Sequence, residues 1–172
     1  MRRFSGRTAQ RSMGAKEKRA DMACMIRWLR REDAAAVAKI LRDAPEAAKW
    51  SEESFVEALS WSGGVALVSE IEWKVTGFLI GRRVREDAEI LNLGVVASAR
   101  RTGQGSALLR AALGEFRTLG VSRVFLEVRE SNATGISFYA KHGFTRTGKR
   151  LKYYREPEEA ALVMEKKLTG QD

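Results

Sequence analysis

Three observations predict an α/β fold: a mixed sheet of about seven strands, antiparallel in its N-terminal part, with a parallel crossover around a glycine loop and about four flanking helices. Val65-Ala66-Leu67-Val68-Ser69 and Trp73-Lys74-Val75-Thr76-Gly77-Phe78-Leu79-Ile80 are β-rich runs parted by three residues, the spacing of an antiparallel hairpin. A strand-like run ending Leu93-Gly94-Val95-Val96 passes through Arg100-Arg101-Thr102-Gly103-Gln104-Gly105 into the helix-like Ser106-Ala107-Leu108-Leu109-Arg110-Ala111-Ala112-Leu113, and another strand follows. Leu109, Ala112, Leu113 and Phe116 recur at helical spacing, so the crossover helix turns one face to a core.

Met25-Ile26-Arg27-Trp28-Leu29-Arg30 opens the ordered part as a short strand. Glu32 and Asp33 place acids in the first turn of an Ala-rich helix reaching about Asp43, and Pro45 interrupts it. Ser51 can cap a second helix in which Phe55, Leu59 and Trp61 share a face, stopped by Gly63-Gly64. The hairpin comes next, and Ala88–Val96 continues its meander into the glycine loop. Gly120 ends the crossover helix as a residue past the C-cap. In Val121–Arg129, Val124, Leu126 and Val128 point one way and Arg123, Phe125, Glu127 and Arg129 the other. Asn132 can cap a last helix bearing Ile136, Tyr139 and Ala140, which stops at Gly143. Strand-like segments around Phe144–Thr147 and Ala161–Lys167 finish the chain, with Pro157 and neighbouring glutamates in a loop between them. The order is β-α-α-β-β-β-α-β-α-β-β.

The 172 residues suit one domain, 23–172, preceded by a basic arm, 1–22. Six of the nine net positive charges fall in residues 1–20, and such a polar, cationic arm is expected to be disordered and able to touch RNA weakly. No apolar run approaches the roughly 20 residues of a membrane span, nor does the basic start lead into a signal-like stretch of about 7–15. A cytoplasmic protein with no membrane partner, a monomer or weak dimer, is the expectation. Cys24 is the sole cysteine and His142 the sole histidine, which speaks against an internal disulfide, a metal site and serine–histidine or zinc hydrolysis.

The glycine loop is the chemical signal. Gly103 and Gly105 let a backbone approach a ligand, and the helix they open presents unpaired N–H groups at its positive dipole end, a cradle for an anion. A right-handed crossover would bring this loop, Glu127 and the Asn132 cap to one end of the sheet.

Arg100-x-x-Gly103-x-Gly105 resembles the signature of the GNAT N-acetyltransferases. Three further blocks fall in the family's order: Asn92-Leu93-Gly94-Val95, Leu126-Glu127-Val128-Arg129-x-Ser131-Asn132-Ala133, and Phe138-Tyr139-x-Lys141-His142-Gly143-Phe144. Within the superfamily, residues 25–168 are similar to the RimI type, which acetylates the N-terminal alanine of a small-subunit ribosomal protein. The chain departs from that type at Lys49 and Ala97, where proline is usual, at Ser106, where arginine is frequent, and in the short segment after Tyr154.

The resemblance implies acetyl-CoA as co-substrate and no metal. Arg100, Arg101, Thr102, Gly103, Gln104, Gly105 and Ser106 would hold its pyrophosphate, and Asn132 would contact it as well as capping its helix. A bulge or kink at Leu93-Gly94-Val95 would free N–H groups for the thioester carbonyl. Glu127 is expected to take a proton from the acceptor amine, and Tyr139 to give one to the departing thiolate. The bland alternatives are a solvated Glu127 paired with Arg123 or Arg129 and an amphipathic Tyr139 at a helix edge. His142 is expected to serve structure at the end of its helix. Trp50, Trp61, Tyr153 and Tyr154 could line an acceptor cleft, with core packing the other reading for the tryptophans. The resemblance implies a protein N-terminus as acceptor, that of a ribosomal protein in the RimI type; a small amine, a lysine, or a non-catalytic RNA- or ribosome-binding role are the rivals.

Overall fold

The computed structural model describes residues 24–44 and 49–168. The expected arm over 1–22 and the break at Pro45 lie outside them. The elements run β1 (Met25–Trp28), α1 (Ala34–Arg42), α2 (Glu52–Ala58), β2 (Gly64–Ile71), β3 (Lys74–Val84), β4 (Asp87–Val95), α3 (Gln104–Thr118), β5 (Arg123–Arg129), α4 (Ala133–Lys141), β6 (Thr145–Arg155) and β7 (Glu158–Lys167). One seven-stranded sheet has the order β1-β2-β3-β4-β5-β7-β6, and β4–β5 is its parallel pair. Among the described residues, no helix is long and apolar enough to cross a membrane.

Helices cover both faces of the sheet. On one, α1 and α2 bring Val37, Ile40, Phe55 and Ala58 onto Ala66, Val68, Phe78 and Ile80. On the other, Leu108, Leu109, Ala112 and Phe116 of α3 pack with Val65, Leu67, Leu79, Val124 and Leu126, joined by Ile136, Phe138 and Tyr139 of α4. That is why Val65-Ala66-Leu67-Val68 is apolar at every position, as strands covered on both faces are. On β5 only Val124, Leu126 and Val128 are buried, so it alternates. The opening strand is held by a charge cluster: Arg27 binds Asp33 at 2.7 Å and Glu70 at 2.7 Å, linking β1, the turn before α1, and β2.

Three local expectations need correcting. Ser51 does cap α2, its hydroxyl accepting from the Ser54 N–H, but the helix ends at Ala58. Ala58 shares the buried face with Phe55, whereas Leu59 caps the helix and is 38% exposed. The first of the last two strands runs far past Thr147, to Arg155, and the second begins at Glu158 rather than Ala161, leaving a turn of Glu156-Pro157 rather than a loop. β6 is an exposed edge strand rich in cations, so apolar periodicity could not reveal it; its pairing with β7 holds it. The bulge in β4 falls at Leu91, where the register steps from Ile80↔Asn92 to Gly81↔Ile90; Leu93, Gly94 and Val95 stay in register with Leu79, Phe78 and Gly77.

Candidate active site

The bulge at Leu91 sits where the two parallel strands separate. Asp87–Ile90 pair with Arg123–Leu126, and the pairing stops there. Beyond it β4 keeps only β3 and β5 keeps only β7. Backbone groups of a strand alternate between its two sides, so part of the β4 backbone after Ile90 faces the opening without a β5 partner. Bulges bend strands in this way. Glu127 is the first residue of β5 past the separation.

The glycine loop closes one end of this opening. Val96 donates to the Thr76 carbonyl at 2.8 Å, a short 3-10 turn spans Ala97–Ala99, and the Thr102 hydroxyl donates to the Ala99 carbonyl at 2.7 Å. Arg101 has φ +61° and Gly103 φ +93°. The Ala107 N–H to Gly103 carbonyl bond is the first of α3, so the N–H groups of Gln104, Gly105 and Ser106 precede the helical ladder. A Cβ on Gly103 would meet nothing within 4 Å, so the loop faces open space there. A Cβ on Gly105 would lie 3.5 Å from Phe138 and 3.9 Å from Val95, which shows how tightly loop, β4 and α4 meet. These features fit an anionic group held by backbone N–H donors and the helix dipole.

The loop's side chains mostly do other work. Arg100 donates from Nε to the Val95 carbonyl at 3.0 Å, tying the loop to the end of β4. Gln104 is buried, its Oε1 accepting from Ser69 Oγ at 3.0 Å and Thr76 Oγ1 at 2.7 Å, while its Nε2 has no partner among the described residues. Ser106 Oγ bonds His142 Nε2 at 2.9 Å, and the His142 ring lies 4.8 Å from Phe138. His142 thus ties the C-cap of α4 to the start of α3. Burial, with Arg110, Lys141 and Lys166 nearby, holds its pKa below the ordinary value. Gly94 has a packing reason of its own, since a Cβ there would come within 2.7 Å of the Phe78 ring.

On β5, Glu127 gathers the Tyr153 hydroxyl and one arginine. Its Oε1 lies 2.8 Å from Arg150 Nε. Tyr153 donates to Glu127, and that bond, with burial second, pushes its phenol up to about 12. Neither expected partner reaches it: Arg123 pairs with Asp87 at 2.8 Å and Arg129 with Glu159 at 3.2 Å. Arg150 holds that place because β6 comes beside β5 through β7, an adjacency no local pattern announces. Tyr154 lies under the Arg129 guanidinium, 4.0 Å from its ring centre, and 5.1 Å from Tyr153. Burial raises its pKa, and Glu127 adds to the rise.

Asn132 caps α4, its Oδ1 accepting from Gly135 N–H at 2.8 Å. That helix carries Tyr139, packed against Phe138 at 5.2 Å and Phe144 at 5.8 Å. Burial pushes the Tyr139 phenol well above its ordinary value, and Tyr154 adds to it. Glu127 acts on both Tyr153 and Tyr154, and Tyr154 in turn acts on Tyr139. The tryptophans do not join them: Trp50 lies 5.3 Å from Phe55 and 5.9 Å from Trp61, packed on the α1–α2 core.

A mixed sheet split after its parallel pair, with a glycine loop and helix N-terminus after one strand and a carboxylate just past the split on the other, is the architecture of an acyl-CoA-dependent transferase. Residues 25–144 match the acetyltransferase (GNAT) family, and the chain belongs to that family. It is similar to the ribosomal protein bS18-alanine N-acetyltransferase of Escherichia coli, with 36% identity over 93 residues, 53% of this chain and 63% of that relative's length. An N-alpha-acetyltransferase of Sulfurisphaera tokodaii is 30% identical over 122 residues, 63% of this chain and 73% of its own. The crystal structure of the Escherichia coli S18-alanine enzyme superposes with a TM-score of 0.77 at 29% identity, covering 87% of this chain and 97% of that one.

Proposed function

We propose that this N-acetyltransferase moves the acetyl group of acetyl-CoA to the α-amine of a protein N-terminus in the manner of the RimI type, with an N-terminal alanine as acceptor. The observation that carries the reading is the position of Glu127, the first β5 residue past the split, with Tyr153 and Arg150 beside it. Acetyl-CoA supplies the activated acyl carbon. Gln104, Gly105 and Ser106 would hold its pyrophosphate through their N–H groups, and the backbone of Leu93, Gly94 and Val95 would lie along its other end.

Glu127 holds an ion pair with Arg150 and a hydrogen bond from Tyr153 that it can exchange for an acceptor amine, from which it removes a proton. An α-amine has an ordinary pKa of about 7.7–8.0 against about 10.4 for lysine, so a single carboxylate suffices for an N-terminal acceptor. Tyr139, held protonated by its surroundings, keeps a proton on its hydroxyl for the leaving sulfur. The uptake of acetyl from acetyl-CoA by alanine-starting, serine-starting and lysine-only peptides tests the acceptor. A faster rate on the alanine peptide is expected, and equal rates on all three overturn the reading. A small amine is the second reading. It is favoured by the Lys49–Glu156 ion pair at 2.9 Å, which joins the two segments that differ from the RimI type.

A further inference from the structure

Resting on that reading of Glu127, we infer that Arg150 is a specificity-determining residue that selects acceptors carrying a carboxylate close behind the reacting amine. Arg150 stands where β6 loses its register with β7: the pairs step from Arg150↔Ala161 to Tyr154↔Glu159, and Lys152 takes φ +52°. Its side chain is 62% exposed and touches Glu127 at 2.8 Å and the Tyr153 ring at 5.8 Å. Glu127, 25% exposed, already accepts from Tyr153. An amine that reaches Glu127 therefore displaces the arginine. Exposed ion pairs contribute little, so the exchange is cheap.

The displaced guanidinium stays beside the acceptor. Its planar fork of donors fits a carboxylate in two-point contact. Successive residues of an extended chain are separated by at most ~3.6 Å, so a side chain one residue behind the amine falls within its reach. The surroundings reinforce the preference. From Thr145 to Arg155, β6 carries Arg146, Lys149, Arg150, Lys152 and Arg155 and no acid. The acids nearby are committed: Glu130 to Lys149, Glu158 to Lys152, Glu156 to Lys49 and Glu159 to Arg129. A basic residue behind the amine would meet a cationic wall.

The test uses the full chain, acetyl-CoA and three C-terminally amidated peptides identical except for Ala-Asp, Ala-Ala or Ala-Lys at the start, so that position two carries the carboxylate under test. Free alanine, whose carboxylate is its own, is the fourth acceptor. The expected result is a kcat/KM for the Asp peptide at least about 10-fold above the Lys peptide, equivalent to about 1.4 kcal/mol. Arg150→Glu should reverse that order and Arg150→Lys should keep it. Equal rates on the three peptides, a preference for Lys, or an Arg150→Glu enzyme that still prefers Asp overturns the inference alone. Free alanine outpacing the Asp peptide overturns it too, by assigning the carboxylate to a small acceptor. Acetylation of none of the three overturns the N-terminal reading and this inference with it.

Discussion

Two glycines at opposite ends of α3 allow the anion cradle to be separated from mere backbone need. Gly103 has φ +93° and Gly120 φ +74°, and a Cβ on either would meet nothing within 4 Å. Alanine at each therefore costs backbone strain and no clash. Left-handed backbone costs an L-residue about 1–2 kcal/mol, partly offset by roughly 0.4–1 kcal/mol from a less free unfolded chain. A net loss of about 1 kcal/mol in each variant lowers Tm by about 2–4 °C for a domain of this size. The two should differ in catalysis. At Gly103 the new methyl enters open space at the residue just before the Gln104–Ser106 N–H groups, while at Gly120 it lies past the other end of the helix. Losing one charge-assisted hydrogen bond, worth about 1.5–3 kcal/mol, raises the KM for acetyl-CoA by roughly 10–100-fold. Thermal melts and initial-rate kinetics at varied acetyl-CoA measure both quantities. Matched melting losses with a KM shift confined to Gly103→Ala are expected; equal KM values in the two variants would refute the cradle.

Other perturbations read the remaining parts of the site and frame. Glu127→Gln and Tyr139→Phe should each lower kcat by about 10²–10⁴-fold with little change in acetyl-CoA KM, as loss of a general base or acid does; unchanged turnover in steady-state assays removes them from the chemistry. His142 has a folded pKa below its unfolded value, so between the two the unfolded state binds more protons and stability falls as pH drops through about 6.5 and below. Melts at pH 7.5 and pH 5 should show a steeper acid loss in the wild type than in His142→Gln, and parallel losses would contradict it. Arg27→Ala strands the buried carboxylates of Asp33 and Glu70 and should cost about 3 kcal/mol in denaturant unfolding.

What the chain discloses in one dimension follows from what local pattern can encode. The β2–β3 hairpin and α3 were legible because burial imposes periodicity: every position of Val65–Val68 is covered, and Leu109, Ala112, Leu113 and Phe116 recur on one face. Turns were legible because Gly103, Gly120 and Gly143 sit at positive φ, which glycine marks in any context. β6 was not. Its residues are solvated and cationic, and what makes them a strand is the backbone of β7, a partner that lies after it in the chain.

The same distinction divides the site. Glu127 could be placed off the aliphatic face of β5 by alternation alone, since period two is a property of the strand itself. Its partners could not, because they come from an element two strands away in the sheet. Arg123 and Arg129 share its face, so alternation alone points to them. Yet Arg123 finds Asp87 across the parallel pair and Arg129 finds Glu159 on β7, each nearer in the sheet than Glu127 is. With those two cations engaged, the carboxylate is left to Arg150 and Tyr153, which belong to a strand whose register is broken beside them. A residue held on a bulged, exposed edge can be exchanged for a ligand at small cost, whereas one in a paired, half-buried ion pair cannot. The split in the sheet thus positions Glu127, and the irregularity in β6 sets partners from an exposed edge strand beside it.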